Sequence, residues 1–199
     1  MASYKTWISE EQTVVQRIFT SRRGLLTALG CLMWLLLTVG PLRAQDIKIA
    51  LKADSGKFAA RCANCIPKEA YPDNMAVHAT DLSQPSAQWF LRKLSNGNYA
   101  LKSVDSGKYA ARCNNCIPGA SYPDSVFVHA NDSNQAYAQW KLERLTNGKY
   151  ALRSADSGKY AARCSNCAPG ALYPDNVFFH ELETSSSSPW AQWEIIIIP

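Results

Sequence analysis

The sequence predicts an all-β domain made of three equivalent four-stranded units. Three observations predict it. First, one run of residues is written three times: Asp54-Ser-Gly-Lys-Phe-Ala-Ala-Arg61-Cys62-Ala-Asn64-Cys65, then Tyr71-Pro-Asp73 and His78, with every landmark recurring 51 residues later and again after a further 51. A fixed period of this length marks a repeat architecture. Second, each copy contains short runs in which apolar and polar residues alternate, the pattern of half-buried strands. Third, no stretch after residue 45 shows a helical period with capping residues.

The second copy gives the elements in order. Tyr99 to Val104 alternates as a first strand, and Asp105-Ser-Gly107-Lys108 follows as a tight turn. Tyr109 to Arg112 reads as a second strand, and Cys113 to Ser125 is a long loop rich in Asn, Pro, Gly and Asp. Val126 to His129 is a third strand, Asn131 to Ala136 a loop, and Gln139 to Leu145 a fourth strand. Asn147-Gly148 then makes a primed hairpin turn into the next copy, as Asn96-Gly97 does before it. The repeats run over about 47–97, 98–148 and 149–199.

Twelve strands in three sets close most economically into a three-fold β-trefoil, because closure removes the strand edges that one four-stranded unit leaves open. Ile47 to Leu51 and Glu194 to Ile198 are apolar strands at the two ends of the domain, and their pairing would seal the barrel.

Residues 1–44 read as an export signal. The apolar run Gly24 to Gly40 follows Arg22-Arg23 and ends before Pro41 and Ala44, where cleavage is expected. Ser21-Arg22-Arg23-Gly24-Leu25-Leu26 resembles a twin-arginine signal. The alternative is an uncleaved anchor, which would be the one link to a membrane; the run of 17 residues is near the lower limit for spanning a bilayer. The expected location is secreted or periplasmic. The 199-residue chain has a net charge of +5, but its first 44 residues hold five basic and two acidic groups, so the repeats carry only +2. That is too weak to suggest nucleic acid, which usually demands a clustered basic face, and no nucleic-acid partner is expected.

Six of the seven cysteines form three Cys-x-x-Cys pairs, and Cys31 lies in the leader. An even count in an exported domain predicts disulfides: Cys62–Cys65, Cys113–Cys116 and Cys164–Cys167. The alternative is zinc or iron on Cys62, Cys65 and His78, on Cys113, Cys116 and His129, and on Cys164, Cys167 and His180, with Asp73 and its counterparts available as a fourth ligand. Otherwise no cofactor is expected.

Between each cysteine pair and its Tyr-Pro-Asp, the repeats offer an aromatic ring beside polar groups, the make-up of a site for a small polar ligand. The candidate ligand-binding residues are Arg61, Asn64, Tyr71 and Asp73; Arg112, Asn115, Tyr122 and Asp124; and Arg163, Asn166, Tyr173 and Asp175. The alternative is that Tyr packs on its own loop, Pro-Asp starts a turn and Arg pairs with Asp. No carboxylate pair, Ser-His-Asp set or phosphate loop stands out, and near-identical copies suit binding better than catalysis. The expected partner is a glycan or another polar surface ligand, with self-association of a disulfide-pinned scaffold as the alternative. The third copy carries a segment two residues longer, Glu181 to Trp190.

The run Ala-Leu-Lys-x-x-Asp-Ser-Gly-Lys-Tyr, with Ala-Gln-Trp and Asn-Gly-Lys-Tyr downstream, resembles the fascin-like β-trefoils and is similar to the amaranthin-type agglutinins over residues 47–199. The resemblance implies the trefoil fold. Ricin-type lectin trefoils carry Gln-x-Trp, whereas Gln88-Trp89, Gln139-Trp140 and Gln192-Trp193 are adjacent here.

Overall fold

The computed structural model describes residues 46–181 and 188–199. The expected signal at 1–44, Cys31 and most of the longer segment of the third copy lie outside these residues.

Each repeat folds into four strands. The first has β1 (Ile47–Lys52), β2 (Phe58–Ala63), β3 (Asp73–Ala79) and β4 (Trp89–Lys93). The second has β5 (Tyr99–Ser103), β6 (Tyr109–Asn114), β7 (Asp124–Ala130) and β8 (Trp140–Arg144). The third has β9 (Tyr150–Ser154), β10 (Tyr160–Ser165), β11 (Asp175–His180) and β12 (Glu194–Ile197). All twelve stand where the alternation places them. The long loop ends earlier than expected, because Asp124 already pairs with Asn114 across the β6–β7 hairpin.

Six strands close a barrel. Successive antiparallel pairs join β1 to β4, β4 to β5, β5 to β8 and β8 to β9. Tyr150 bridges to Trp193 just before β12, and β12 returns to β1 with Ile49 opposite Ile197 and Leu51 opposite Ile195. The two apolar end strands therefore seal the barrel as expected.

The other six strands form three hairpins that meet one another: Asn74 opposite Phe127, Ser125 opposite Phe178, and Asn176 opposite Ala76. Barrel and hairpin triplet together are a β-trefoil.

Trp89, Trp140 and Trp193 are buried in the main core with Ile49, Leu51, Leu101, Leu152, Val77, Val126 and Val177. Their indole N–H groups donate to the carbonyls of Ala59, Ala110 and Ala161 at 3.0, 3.1 and 2.9 Å. That satisfies the one polar atom each ring brings inside. Adjacent Gln-Trp thus places Trp inward and leaves Gln for the repeat junctions. Asn96 Nδ2 donates to Gln139 Oε1, and Asn147 Nδ2 donates to Gln192 Oε1, both at 2.8 Å. Gly97 and Gly148 in these Asn-Gly turns sit at φ +84°, a conformation open to glycine at little cost.

Candidate functional site

The loop between each cysteine pair and its Tyr-Pro-Asp is built from the backbone outward. All three pairs are disulfide-bonded: Cys62–Cys65, Cys113–Cys116 and Cys164–Cys167. The Asn just before each second cysteine is in the left-handed region, with φ of 54°, 56° and 58° at Asn64, Asn115 and Asn166. Asn tolerates that region better than most residues. Each of these Asn backbone N–H groups donates to a proline carbonyl, of Pro72, Pro123 and Pro174 respectively, which ties the loop shut at its neck.

The closed loop then docks on the next repeat. The Ala70 N–H donates to the Cys116 carbonyl at 3.0 Å, Ser121 to Cys167 at 3.0 Å, and Leu172 to Cys65 at 2.7 Å. The loop tyrosine makes the same crossing. Tyr71 stacks on His129 with centroids 4.3 Å apart, Tyr173 on His78 at 4.1 Å, and Tyr122 meets His180 at 4.0 Å with the rings tilted by 60°. The third repeat closes the circle onto the first.

The arginines follow the same sense. Arg61 donates to Asp73 of its own repeat at 2.6 Å and through Nε to Asp105 of the next at 2.8 Å. Arg112 joins Asp124 at 2.6 Å and Asp156 at 2.8 Å. Arg163 joins Asp175 at 3.0 Å and Asp54 at 2.7 Å. Hydrogen bonds from Arg163 hold the Asp54 carboxyl below its usual range. Burial works against the Asp124 carboxylate, but bonds from Asn114, Lys159 and Arg112 prevail and hold its pKa down.

The proposed ligand set is thus drawn together in each repeat, yet most of its polar capacity is turned inward. Arg and Asp face each other, and Asn serves the turn. The members that reach the surface are Asn64, Asn115 and Asn166 and two of the tyrosines: Tyr71 and Tyr122 are exposed and Tyr173 is half-buried. Beneath them lies a second apolar cluster containing Ile66, Ile117, Ala168, Phe127 and Phe178. Sequence reading placed the Asp-Ser-Gly-Lys aspartates in a turn and missed that they receive an arginine from the preceding repeat.

The metal alternative finds a different arrangement. The thiols are joined in disulfides, and each His lies against a tyrosine of another repeat. Among the described residues no group of three or more His, Cys, Asp or Glu is disposed to hold an ion. Burial keeps the His78, His129 and His180 pKa values below the ordinary value.

The first loop alone carries charged residues, Lys68 and Glu69, between its cysteines and its tyrosine. Glu69 stands where the other copies have Ala120 and Ala171. Both its carboxylate oxygens are buried with no hydrogen-bond partner. Burial, with the neighbouring Asp73 charge, pushes its pKa up to about 7.

Comparison with known proteins agrees with the geometry. Residues 85–173, a little under half of the chain, match the family model described as ricin-type beta-trefoil lectin domain-like. No curated protein matches the chain. Among solved structures, it is similar to the designed 3-fold symmetric protein ThreeFoil, with 21% identity over 75% of this chain and 97% of that one and a TM-score of 0.56. It is similar to the SDF2-like protein from Arabidopsis thaliana, with 10% identity over 77% and 93% of the two chains and a TM-score of 0.59. It also resembles part of 1,3Gal43A, an exo-beta-1,3-galactanase from Clostridium thermocellum, with 14% identity over 76% of this chain and 30% of that one and a TM-score of 0.57. At these identities the structural likeness establishes the fold. The family match arises although the spacing of Gln and Trp departs from Gln-x-Trp.

Proposed function

We propose that this chain is an exported, non-catalytic β-trefoil module that binds carbohydrate at the seams between repeats. The observation that carries the reading is the ring of loops. Each places a tyrosine over a histidine of the next repeat and leaves tyrosine surface open at two seams. A sugar presents an apolar C–H face and a polar rim, and a fixed aromatic ring beside polar groups suits both. The tyrosines contact the ligand. The disulfides, the Arg–Asp pairs and the left-handed Asn hold them in place, so little ordering is left for binding to bear. The ricin-type lectin-like match over residues 85–173 supports the ligand class.

The leader and the three disulfides support a secreted or periplasmic location. Within trefoils, the fascin-like and amaranthin-like resemblance of the turn residues stands as the finer family assignment. No resident metal is part of the reading.

A glycan array probed with the full chain tests it. Binding to at least one neutral glycan, weakened by Tyr122→Ala, is the expected result. A blank array, or binding untouched by Tyr122→Ala and Tyr71→Ala together, would contradict it. The scaffold reading is favoured by the exposed Ile47 and Ile197 on the paired strands β1 and β12. Its sign is sedimentation that depends on protein concentration without any sugar present.

A further inference from the structure

The three seams are equal in their loops and unequal in what surrounds them. Two separate positions make the difference. The first is the 3-10 turn before each barrel tryptophan. Tyr137 stands three residues ahead of Trp140 in the turn Ala136–Ala138, and Trp190 stands three residues ahead of Trp193 in the turn Pro189–Ala191. The same place in the first repeat, in Pro85–Ala87, holds Ser86. Tyr137 lies nearly parallel to His129, with an interplanar angle of 8° and centroids 5.9 Å apart. The seam between the first and second repeats is therefore a row of three rings, Tyr71, His129 and Tyr137.

The second position lies beneath the loop tyrosine. Phe127 sits 6.2 Å from Tyr71, and Phe178 sits 6.4 Å from Tyr122, each ring tilted against the other. The first repeat has Ala76 there. Without that bulk Tyr173 sinks against Cys62, Cys65 and Ala76 and is half-buried. Tyr71 and Tyr122 stay 41% and 40% exposed, and Tyr137 and Trp190 are each 37% exposed. Among the described residues these four are the exposed large aromatic side chains: Tyr71 and Tyr137 flank His129, and Trp190 holds in the third repeat the turn position that Tyr137 holds in the second.

We propose that the chain carries two sugar-binding seams rather than three: Tyr71 with Tyr137, and Tyr122 with Trp190. Tyr137 and Trp190 are the residues that set specificity between them. The inference rests on the carbohydrate reading above and adds its valency. A tyrosine and a tryptophan differ in stacking area, so the two sites differ in strength and preference. The ligand class is a neutral pyranoside with one apolar face. The seam of Tyr173, His78 and Ser86 lacks both the prop and the second ring, and takes no sugar.

Calorimetric titration of the full chain with lactose, chitotriose and mannotriose separates the two levels. The expected result is two sites per chain for at least one of these probes. Tyr137→Ala and Trp190→Ala should each abolish or weaken one site about tenfold, a loss on the order of one well-packed ring. Both side chains are at the surface, so near-ultraviolet circular dichroism should show the core tryptophans unchanged. Ser86→Ala should leave both sites intact. Three equal sites, or binding indifferent to Tyr137→Ala and Trp190→Ala, would overturn the two-seam inference while sparing the carbohydrate reading. No binding of any of the three probes, with a blank array, would overturn both.

Discussion

Arg61 of the first repeat donates its Nε–H to Asp105 of the second at 2.8 Å, and Asp54, the equivalent aspartate of its own repeat, is held instead by Arg163 of the third at 2.7 Å. The repeats are therefore not three small domains in a row. Each supplies a guanidinium to its successor, and the last supplies the first. The loop amides and the Tyr–His pairs run the same way, so three kinds of contact close one ring.

That ring predicts an uneven response to mutation. Arg112 bridges Asp124, whose side chain is almost wholly buried, and Asp156, which is partly exposed. Arg112→Ala would take from a buried carboxylate one of three partners, leaving Asn114 and Lys159, and should cost about 2 kcal/mol. Asp156→Asn removes only the outer partner and should cost about 1 kcal/mol or less. Urea denaturation checks the order: the Arg112→Ala midpoint should fall further, with the slope unchanged.

The disulfides should act on the neighbouring loop as well as on their own. The Cys116 carbonyl accepts the Ala70 N–H of the preceding repeat. Replacing Cys113 and Cys116 by serine removes a cross-link worth roughly 2 kcal/mol in the chain-entropy model. It should also speed hydrogen exchange at the Ala70 amide, which stands 43 or more positions away in sequence. Exchange at Leu172, which donates to Cys65, should change less. Equal acceleration at Ala70 and Leu172 would mean that the loss is global and not transmitted across one seam.

Glu69 gives the pH dependence. Its pKa is about 7 in the folded protein against 4.5 for an unperturbed glutamate. The folded state then holds a proton between these values that the unfolded chain has released. Its stability is fully retained below about pH 4.5 and falls as pH rises through about 7. Glu69→Ala, which installs the residue of the other two copies, should remove this loss. Melting at pH 8 should rise by ~2–4 °C for each kcal/mol recovered, with little change at pH 4. A variant that melts with the same offset at both pH values would show that the buried carboxylate is not the cause.

The fold was readable because its signals are local. Asp105-Ser-Gly107 makes a turn, Tyr99 to Val104 alternates, and Asn147-Gly148 makes a hairpin wherever the chain later goes. The partnerships were not readable, and the reason is the symmetry itself. Every copy carries the same Arg, Asp, Tyr and His, so sequence alone cannot say whether Arg61 meets Asp54 or Asp105, or whether Tyr71 meets His78 or His129. Nor does the sequence show that the arginines and aspartates of the candidate set turn toward one another and leave the tyrosines and asparagines to the surface. Tyr137 was passed over because its counterparts are Ser86 and Trp190, and the longer third segment shifts Trp190 out of the 51-residue frame. The Ala-Gln-Trp that follows each of them is the signal that aligns the three positions.

The most direct measurement is a titration of the full chain, with labelled aromatic rings followed by NMR, against neutral pyranosides that bind on the array. Saturable shifts are expected at Tyr71, His129 and Tyr137 and at Tyr122, His180 and Trp190, with Tyr99 and Tyr150 on the barrel strands unmoved. Saturable binding that leaves the seam rings unshifted, or that moves the barrel-strand tyrosines instead, would place the sugar elsewhere and contradict the seam as the site.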